Sequence, residues 1–403
     1  MPRLGLGSSL TGGGGAGEDI TSFISTWATT TSSEKVTIPF VSSGTINFTI
    51  DWGDGGSDAV TAWNDNLGGG AIDHTYLSAD TYTITMAGTI SGLKFNNGGD
   101  KTKIKTITQW GTFNISVDDT FWGCNALNVT ATDAPTISST SLAMVFNGCT
   151  ALTSIGGDWD VSSVTNVTYL FANCTNFNQD IGNWDVSAVE LMYTMFQEAS
   201  SFNQDISGWD VGAVTSMKSM FWGATDFNNG EAALTETGNN WDMTEVKNCE
   251  NMFRNAESFN ADISDWTVSS VENMKRMFQD TIPFNQDIGS WNVSSVITMY
   301  GMFANNANFN QDISSWTVAQ VEDFTSFLAN NTEMSTANYN KFMYRLDSTS
   351  SQSSVSFDGG NATHDGSTGG VDGTTAINNL VTNHSWTIID SDGGTDHDAG
   401  EHT

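Results

Sequence analysis

Carboxylates return along this 403-residue chain on a fixed step. Asp180, Asp205, Asp262, Asp287 and Asp312 each stand in an F-N-x-D-I phrase. A second set flanks recurring tryptophans: Asp158 and Asp160 around Trp159, Asn183 and Asp185 around Trp184, and Asp210 after Trp209. It continues with Asn240 and Asp242 around Trp241, Asp265 and Thr267 around Trp266, and Asn292 after Trp291. Like charges in a column repel unless they are solvated or bridged by cations. Two readings are open for the first column: turn-capping aspartates, or calcium or magnesium bridging. The second set, if it faces solvent, offers carboxylate, amide and hydroxyl groups to sugar hydroxyls, directly or through divalent cations. The plainer alternative is a solvated face.

Singular chemistry is hard to find. The five histidines are His74, His364, His384, His397 and His402, and none sits in a metal-binding or triad spacing. No phosphate-binding loop or nucleophile elbow is present. A catalytic site breaks the symmetry of a repeat, and these carboxylates follow it. A non-enzymatic protein is therefore expected, with calcium the one ion to consider.

Charge narrows the partners. Asp and Glu number 46 against 13 Lys and Arg, for a formal net charge of −33. Such a polyanion repels nucleic acid and anionic membranes. No apolar run approaches the roughly 18 residues of a membrane span. A small basic cluster, Lys94, Lys101, Lys103 and Lys105, reads as a solvated loop or an anion patch. Cys124, Cys149 and Cys174 lie 25 apart, in one column. Cys249 occupies the position that Met192, Met217, Met274 and Met299 fill elsewhere. Buried thiols are the simpler reading, a stacked disulfide or metal site the alternative.

The elements that must position these groups follow from the aromatic columns. Trp159, Trp184, Trp209, Trp241, Trp266, Trp291 and Trp316 step by 25 residues, except for one step of 32. The phenylalanines from Phe121 to Phe303 keep the same step, with the same long interval. One unit thus carries an insertion, between Phe227 and Trp241, expected to bulge out without disturbing its neighbours. A fixed period of this length marks stacked repeats, each too small to bury its own core. Within one unit, the alternation around Trp184 and Val186 predicts a short strand, with Asn183 and Asp185 outward. Val189, Met192, Met195 and Phe196 predict a helical stripe, with Ser187 and Glu190 as its capping box. The asparagines of the F-N phrase, Asn178 to Asn310, predict a ladder that satisfies backbone groups.

Other segments differ in composition. "VTIPF", "INFTIDWGDG", "IDHTY" and "TYTITMAG" alternate apolar and polar residues between turns. Asp51 and Asp54 there read as turn-fixing residues or a calcium site. After the repeats, "STANYNKFMYRLDS" and "TTAINNLVTNH" predict helices, and "VSFDGG" and "WTIID" predict strands.

The units "FNQDIGNWDVSAVELMYTMFQEASS" and "FNQDISSWTVAQVEDFTSFLANNT" resemble the repeats of BspA-like leucine-rich-repeat surface proteins. "DWGDG" followed by "HTY" resembles a polycystic-kidney-disease (PKD) type domain. These resemblances imply a mainly β chain with short helices: an N-terminal immunoglobulin-like (PKD-like) β-sandwich, then a leucine-rich-repeat-like right-handed solenoid with a C-terminal α/β cap. The expected divisions are a Gly-rich arm over 1–17, the sandwich over 18–95, the solenoid over 96–334, a capping module over 335–390 and an acidic tail over 391–403. The start "MPRLGLGSSL" resembles some bacteriophage structural proteins. A virion decoration, fibre or spike protein is therefore expected, with a secreted or cell-surface bacterial adhesin as the alternative. Expected partners are other virion proteins through the arm, a host-surface glycan or protein, and a further copy in a homo-oligomer. Nucleic acid and membrane insertion are not expected.

Overall fold

A computed structural model describes residues 19–41, 46–61, 71–236, 240–350 and 352–391. The arm over 1–17 and nearly all of the acidic tail lie outside the described residues. The fold is mainly β. Among the described residues the α-helices are two, α1 (Thr336–Thr349) and α2 (Gly373–His384).

The N-terminal part holds β1 (Phe23–Ala28), β2 (Glu34–Pro39), β3 (Asn47–Asp51), β4 (Ser57–Val60), β5 (Ala71–Tyr76) and β6 (Thr81–Thr89). It leads into β7 (Ile104–Gln109), β8 (Asn114–Ile115), β9 (Asn128–Val129) and β10 (Thr136–Ile137). One sheet runs β4-β3-β6-β1-β7-β9, and β2 pairs with β5 in another. Period-2 alternation buries Phe23 and Trp27 of β1, and Val36 and Ile38 of β2. Rings join across: Phe40 to Phe48 at 5.0 Å and Tyr76 to Tyr82 at 3.8 Å. The expected division at residue 95 is not a break in the sheet. β1 pairs antiparallel with both β6 and β7, and β7 pairs parallel with β9, Ile107 opposite Val129. The sheet therefore runs straight into the first turns of the stack.

Thereafter the units lie on one another in parallel. A single bridge position passes from Ser141 through Asn166, Leu191, Ser216, Asn248, Asn273 and Thr298 to Asp323. Around it, alternate residues donate to the next turn: Val167 N–H to Leu191 O (3.0 Å), Tyr169 to Tyr193 (3.3 Å), Phe171 to Met195 (3.0 Å) and Asn173 to Gln197 (2.7 Å). The residues between them close tight turns within the unit, such as Leu170 N–H to Val167 O at 3.1 Å.

This overturns the strand-then-helix reading of a unit. The stretch over 187–196, expected as a helix, instead enters the hydrogen-bonded face, which runs on through Gln197. The stretch around Trp184 carries no ladder strand. The cause is backbone handedness. Thr194 and Glu198 have φ of 63° and 56°, and the corresponding residues of other turns are left-handed too. A left-handed residue ends a helical run after one turn, so its amides turn to the neighbouring unit. Ser187 does not cap a helix; its hydroxyl donates to Asp185 at 2.6 Å. The apolar stripe is still buried, because Val189, Met192, Met195 and Phe196 all reach the core.

Ring stacking fills that core. Phe196, Phe221, Phe253, Phe278 and Phe303 follow one another at centroid separations of 5.6 to 5.7 Å, stacked with nearly parallel planes. Every recurring Trp is buried, and most indole N–H groups donate to a carbonyl of the turn before, as Trp209 Nε1 does to Ile181 O at 3.0 Å. The asparagine ladder forms as expected. Asn203, Asn228, Asn260, Asn285 and Asn310 N–H each donate to the preceding asparagine Oδ1 at 2.8 to 3.0 Å.

The insertion leaves the stack undisturbed: Phe221 and Phe253, on either side of it, are 5.6 Å apart. It does not simply bulge, however. Asn229 is fully buried and accepts from Ile206 N–H at 2.9 Å. Leu234 takes the place of the usual Ile, its carbonyl accepting from Trp266 Nε1 at 2.5 Å.

The C-terminal cap continues the ladders rather than merely covering them. Asn310 Oδ1 accepts from Ser335 N–H at 2.9 Å, and Ser335 in turn caps α1 through Asn338 N–H. β11 (Ser356–Asp358) pairs parallel with β12 (Thr387–Ile389), and Phe357 bridges to Phe324 of the last turn.

Replacing Phe278 by Ala removes a ring stacked on three others and should cost about 3–5 kcal/mol. Asn285→Ala leaves the Asn310 amide without its acceptor and should cost about 1–3 kcal/mol. Urea denaturation of both variants checks the order; an Asn285→Ala midpoint equal to wild type would show the ladder to be dispensable.

Candidate functional site

The repeats carry their exposed chemistry along a ribbon beside the tryptophans. Burial alternates as the sequence predicts: Trp184 and Val186 point inward, Asn183 and Asp185 outward. Asp158, Asp160, Asn183, Asp185, Asp210, Asp265, Thr267 and Asn292 are exposed, while Asn240 and Asp242 are half-buried. The ten residues therefore line one strip across consecutive turns. The indoles themselves are buried, so the Trp column offers no open ring face to a sugar.

The aspartates of this ribbon fold the chain locally. Asp160 Oδ1 accepts from Ser162 N–H (3.1 Å) and hydroxyl (2.6 Å), and Asp185 Oδ1 accepts from Ser187 in the same way. Asp210 accepts from Gly212 N–H at 3.1 Å, Asp242 from Thr244 N–H at 2.9 Å, and Asn292 from Ser294 N–H at 3.2 Å. In each case the same oxygen, Oδ1, makes the turn. At Asp160 and Asp185 these bonds favour the ionised form. Asp185 is accordingly lowered from the ordinary carboxylate range by its bonds from the Ser187 hydroxyl and amide, while Asp160 pushes weakly the other way.

The second column behaves alike. Asp180, Asp205, Asp262, Asp287 and Asp312 all lie exposed, and each Oδ1 accepts an amide two residues on, at 2.9 to 3.1 Å. Asp312, last in the column, also takes Lys341 Nζ of α1 at 2.7 Å. Among the described residues, no group of three or more His, Cys, Asp or Glu gathers closely enough to hold a metal ion.

The sequence did not reveal how the insertion joins the ribbon. Glu236 crosses to the next unit, where its carboxylate accepts from the Thr267 hydroxyl at 2.8 Å and from the Thr267 amide. Its own amide donates to Asp265 at 3.1 Å. Thr267 and Asp265 thus touch the insertion, whereas Asp158 to Asp210 lie on turns before it.

Other candidate groups have structural partners. Lys103 is held by Glu34 (3.1 Å) and Asp100 (3.0 Å), and Lys94 lies 3.5 Å from Asp119. Asp51 and Asp54 each accept a turn amide at 2.9 Å, and Asp54 also meets His74 at 2.7 Å. The four cysteines are free and buried, and burial pushes the Cys249 thiol up to about 12.

With this geometry in view, comparison with known proteins gives a family. Residues 140–235 and 229–342 match the family described as "Mycoplasma protein of unknown function, DUF285", just over half of the chain. The chain belongs to that family. The match falls on the same 25-residue units that resemble BspA-like repeats. No curated protein and no solved structure matches the chain.

The turn bonds set a pH dependence. A lowered folded-state pKa contributes stability above the unfolded value and loses it as pH falls through the folded value. The Asp160 and Asp185 turns should therefore hold at neutral pH and release only below the usual carboxylate range. Carboxyl NMR titration should place Asp185 below a free aspartate, and Ser187→Ala should bring it back up; an unchanged midpoint would dissociate the carboxylate from the turn.

Proposed function

We propose that the chain is a non-enzymatic surface-display protein, its repeats a leucine-rich-repeat-like right-handed solenoid that presents a recognition face. The observation that supports this is the acidic and hydroxyl ribbon, carried in register over consecutive turns with its carboxylates held by local bonds. Preorganised groups bind without the ordering cost that loops incur. The ligand class that suits them is a host-surface glycan, reached through hydroxyls directly or through calcium shared between neighbouring carboxylates. The N-terminal sheets, read as a PKD-like module, then act as a spacer. One placement is a bacterial cell surface, as an adhesin of the BspA-like type. The Gly-rich start motivates the second placement, a virion protein anchored to its particle through residues 1–17.

The triple variant Asp185→Asn, Asp210→Asn and Asp242→Asn keeps shape and turn bonds while removing three charges. Adhesion to cells or immobilised glycans should fall at least tenfold, with the calcium dependence of the wild type lost. Unchanged adhesion, with no calcium effect in either protein, would leave the ribbon a solvated face. Deleting residues 1–17 separates the placements: a protein that still folds but no longer joins particles supports the virion, and normal incorporation counts against it.

A further inference from the structure

The repeats break their own symmetry in one place. Between residues 120 and 334 the only cationic residues are Lys218, Lys247, Arg254, Lys275 and Arg276. All five lie on the hydrogen-bonded face, not on the acidic ribbon. Their backbones are rungs of its ladder: Gly223 N–H donates to Arg254 O, Asn251 N–H to Lys275 O and Arg276 N–H to Tyr300 O, at 2.8 to 2.9 Å. In the same columns other turns place Thr168, Ala172, Ala304, Thr325 and Ala329, and the turn just before places uncharged Tyr193 and Gln197, so the cations are confined to these turns.

Two rings hold the cations in place. The Arg254 guanidinium lies 5.3 Å from the Trp222 ring centre. Arg276 and Lys275 lie 4.9 and 5.4 Å from the Tyr300 ring centre. Stacking of this kind fixes a guanidinium while leaving its edge to bind oxyanions. Lys218 is engaged by Glu250 at 2.8 Å, and Glu272 follows Lys247 on the next turn, its N–H donating to Lys247 O at 2.9 Å. Lys247 is exposed.

An independent observation falls in the same turns. Among the described residues six buried side-chain polar atoms have no hydrogen-bond partner; Thr168 Oγ1 and Asn306 Oδ1 lie elsewhere in the stack, and the other four, Arg254 Nε, Asn251 Oδ1, Asn255 Oδ1 and Gln279 Oε1, gather here, with Asn251 only 8% exposed. Buried polar groups are nearly always paired, so a group of four on adjacent turns calls for a partner. The set asks for both kinds: an acceptor for the arginine, and donors for three amide oxygens. A hydroxyl-rich chain carrying carboxylates or sulfates supplies both.

We propose that this cation–aromatic face, over turns 218–300, is a binding site for an acidic polysaccharide. The oxyanions meet Arg254, Arg276, Lys247 and Lys275, and sugar hydroxyls satisfy the unpaired amides once Arg254 shifts to admit them. It is a different face from the acidic ribbon and stands independently of it. Elsewhere the repeats carry net negative charge and repel such a ligand, so the site confines it to these turns.

The test uses the full chain and immobilised probes: heparin, polygalacturonate, neutral dextran and poly-glutamate. Retention on heparin or polygalacturonate should exceed dextran at least tenfold and weaken as salt rises. The double variant Arg254→Gln, Arg276→Gln should lose at least tenfold in affinity. Lys247→Glu, an exposed change that leaves the ladder intact, should also weaken binding several-fold, which guards against misfolding of the double variant. Lys341→Gln, at the cap, should change nothing. No preference over dextran, or binding that survives both variants, overturns the proposal. So does tighter binding to poly-glutamate than to either polysaccharide, which would assign the face to an acidic protein instead.

Discussion

Everything in the repeat region depends on one interaction: the backbone of each turn is hydrogen-bonded to the next through alternate residues, and that pattern requires left-handed residues. Two positions per turn adopt it. One passes through Asp119, Met144, Tyr169, Thr194, Ser219, Asn251, Arg276, Gly301 and Ser326. The other, four residues on, passes through Gly123, Gly148, Asn173, Glu198, Gly223, Asn255, Asp280, Asn305 and Asn330. Glycine and asparagine accept this conformation readily; Thr194, Tyr169 and Met144 do so at roughly 1–3 kcal/mol each. The strain persists because neighbours on both sides fix the amides. A single unit in isolation would have no reason to hold it.

The same constraint explains why side chains can vary within a column while the backbone cannot. One buried column reads Cys124, Cys149, Cys174, Ala199, Ala224, Ala256, Thr281, Asn306 and Asn331. Its polar members find acceptors on an adjacent turn: Cys174 Sγ on Phe146 O at 3.0 Å, Thr281 Oγ1 on Phe253 O at 2.5 Å. Thiol, methyl, hydroxyl and amide all serve, because the position needs only a small group that does not offend the stacked rings. Burial raises all four thiols, including Cys249 in the methionine column. They pack in the core as small, free thiols.

Much of this was legible in the sequence. The 25-residue step placed the stack, the asparagine ladder, the inward Trp184 and the outward Asp185, because identity at a fixed period reports identity of environment. The cap was legible as well, since its helices and strands have ordinary caps and alternation. Local geometry was not. The spacing of Val189, Met192, Met195 and Phe196 is that of a helix, and nothing in apolar periodicity separates a helix from consecutive tight turns that bury the same residues. The signal that could have done so is the recurrence of Gly and Asn at Gly123, Gly148, Asn173, Gly223 and Asn255, residues that tolerate left-handed backbone. The reach of Glu236 to Thr267 was also hidden, because an insertion carries no period to read.

Symmetry also sorts the surface chemistry. Asp160, Asp185 and Asp210 recur because their turns recur; each would be present on a stack that bound nothing. Their availability to a ligand is a by-product of folding, and a binding face can be built on them at no structural cost. Lys218, Trp222, Arg254, Arg276 and Tyr300 are different. Other turns keep the same ladder with Thr168, Thr325, Ala172, Ala304 and Gly301 in those columns, and the turns just before carry uncharged Tyr169, Tyr193 and Gln197, so the fold does not ask for cationic groups there. Burying Arg254 Nε and Asn251 Oδ1 unpaired even works against stability. A feature that the scaffold does not need, and that costs it something, is better explained by what the turns meet than by how they stack.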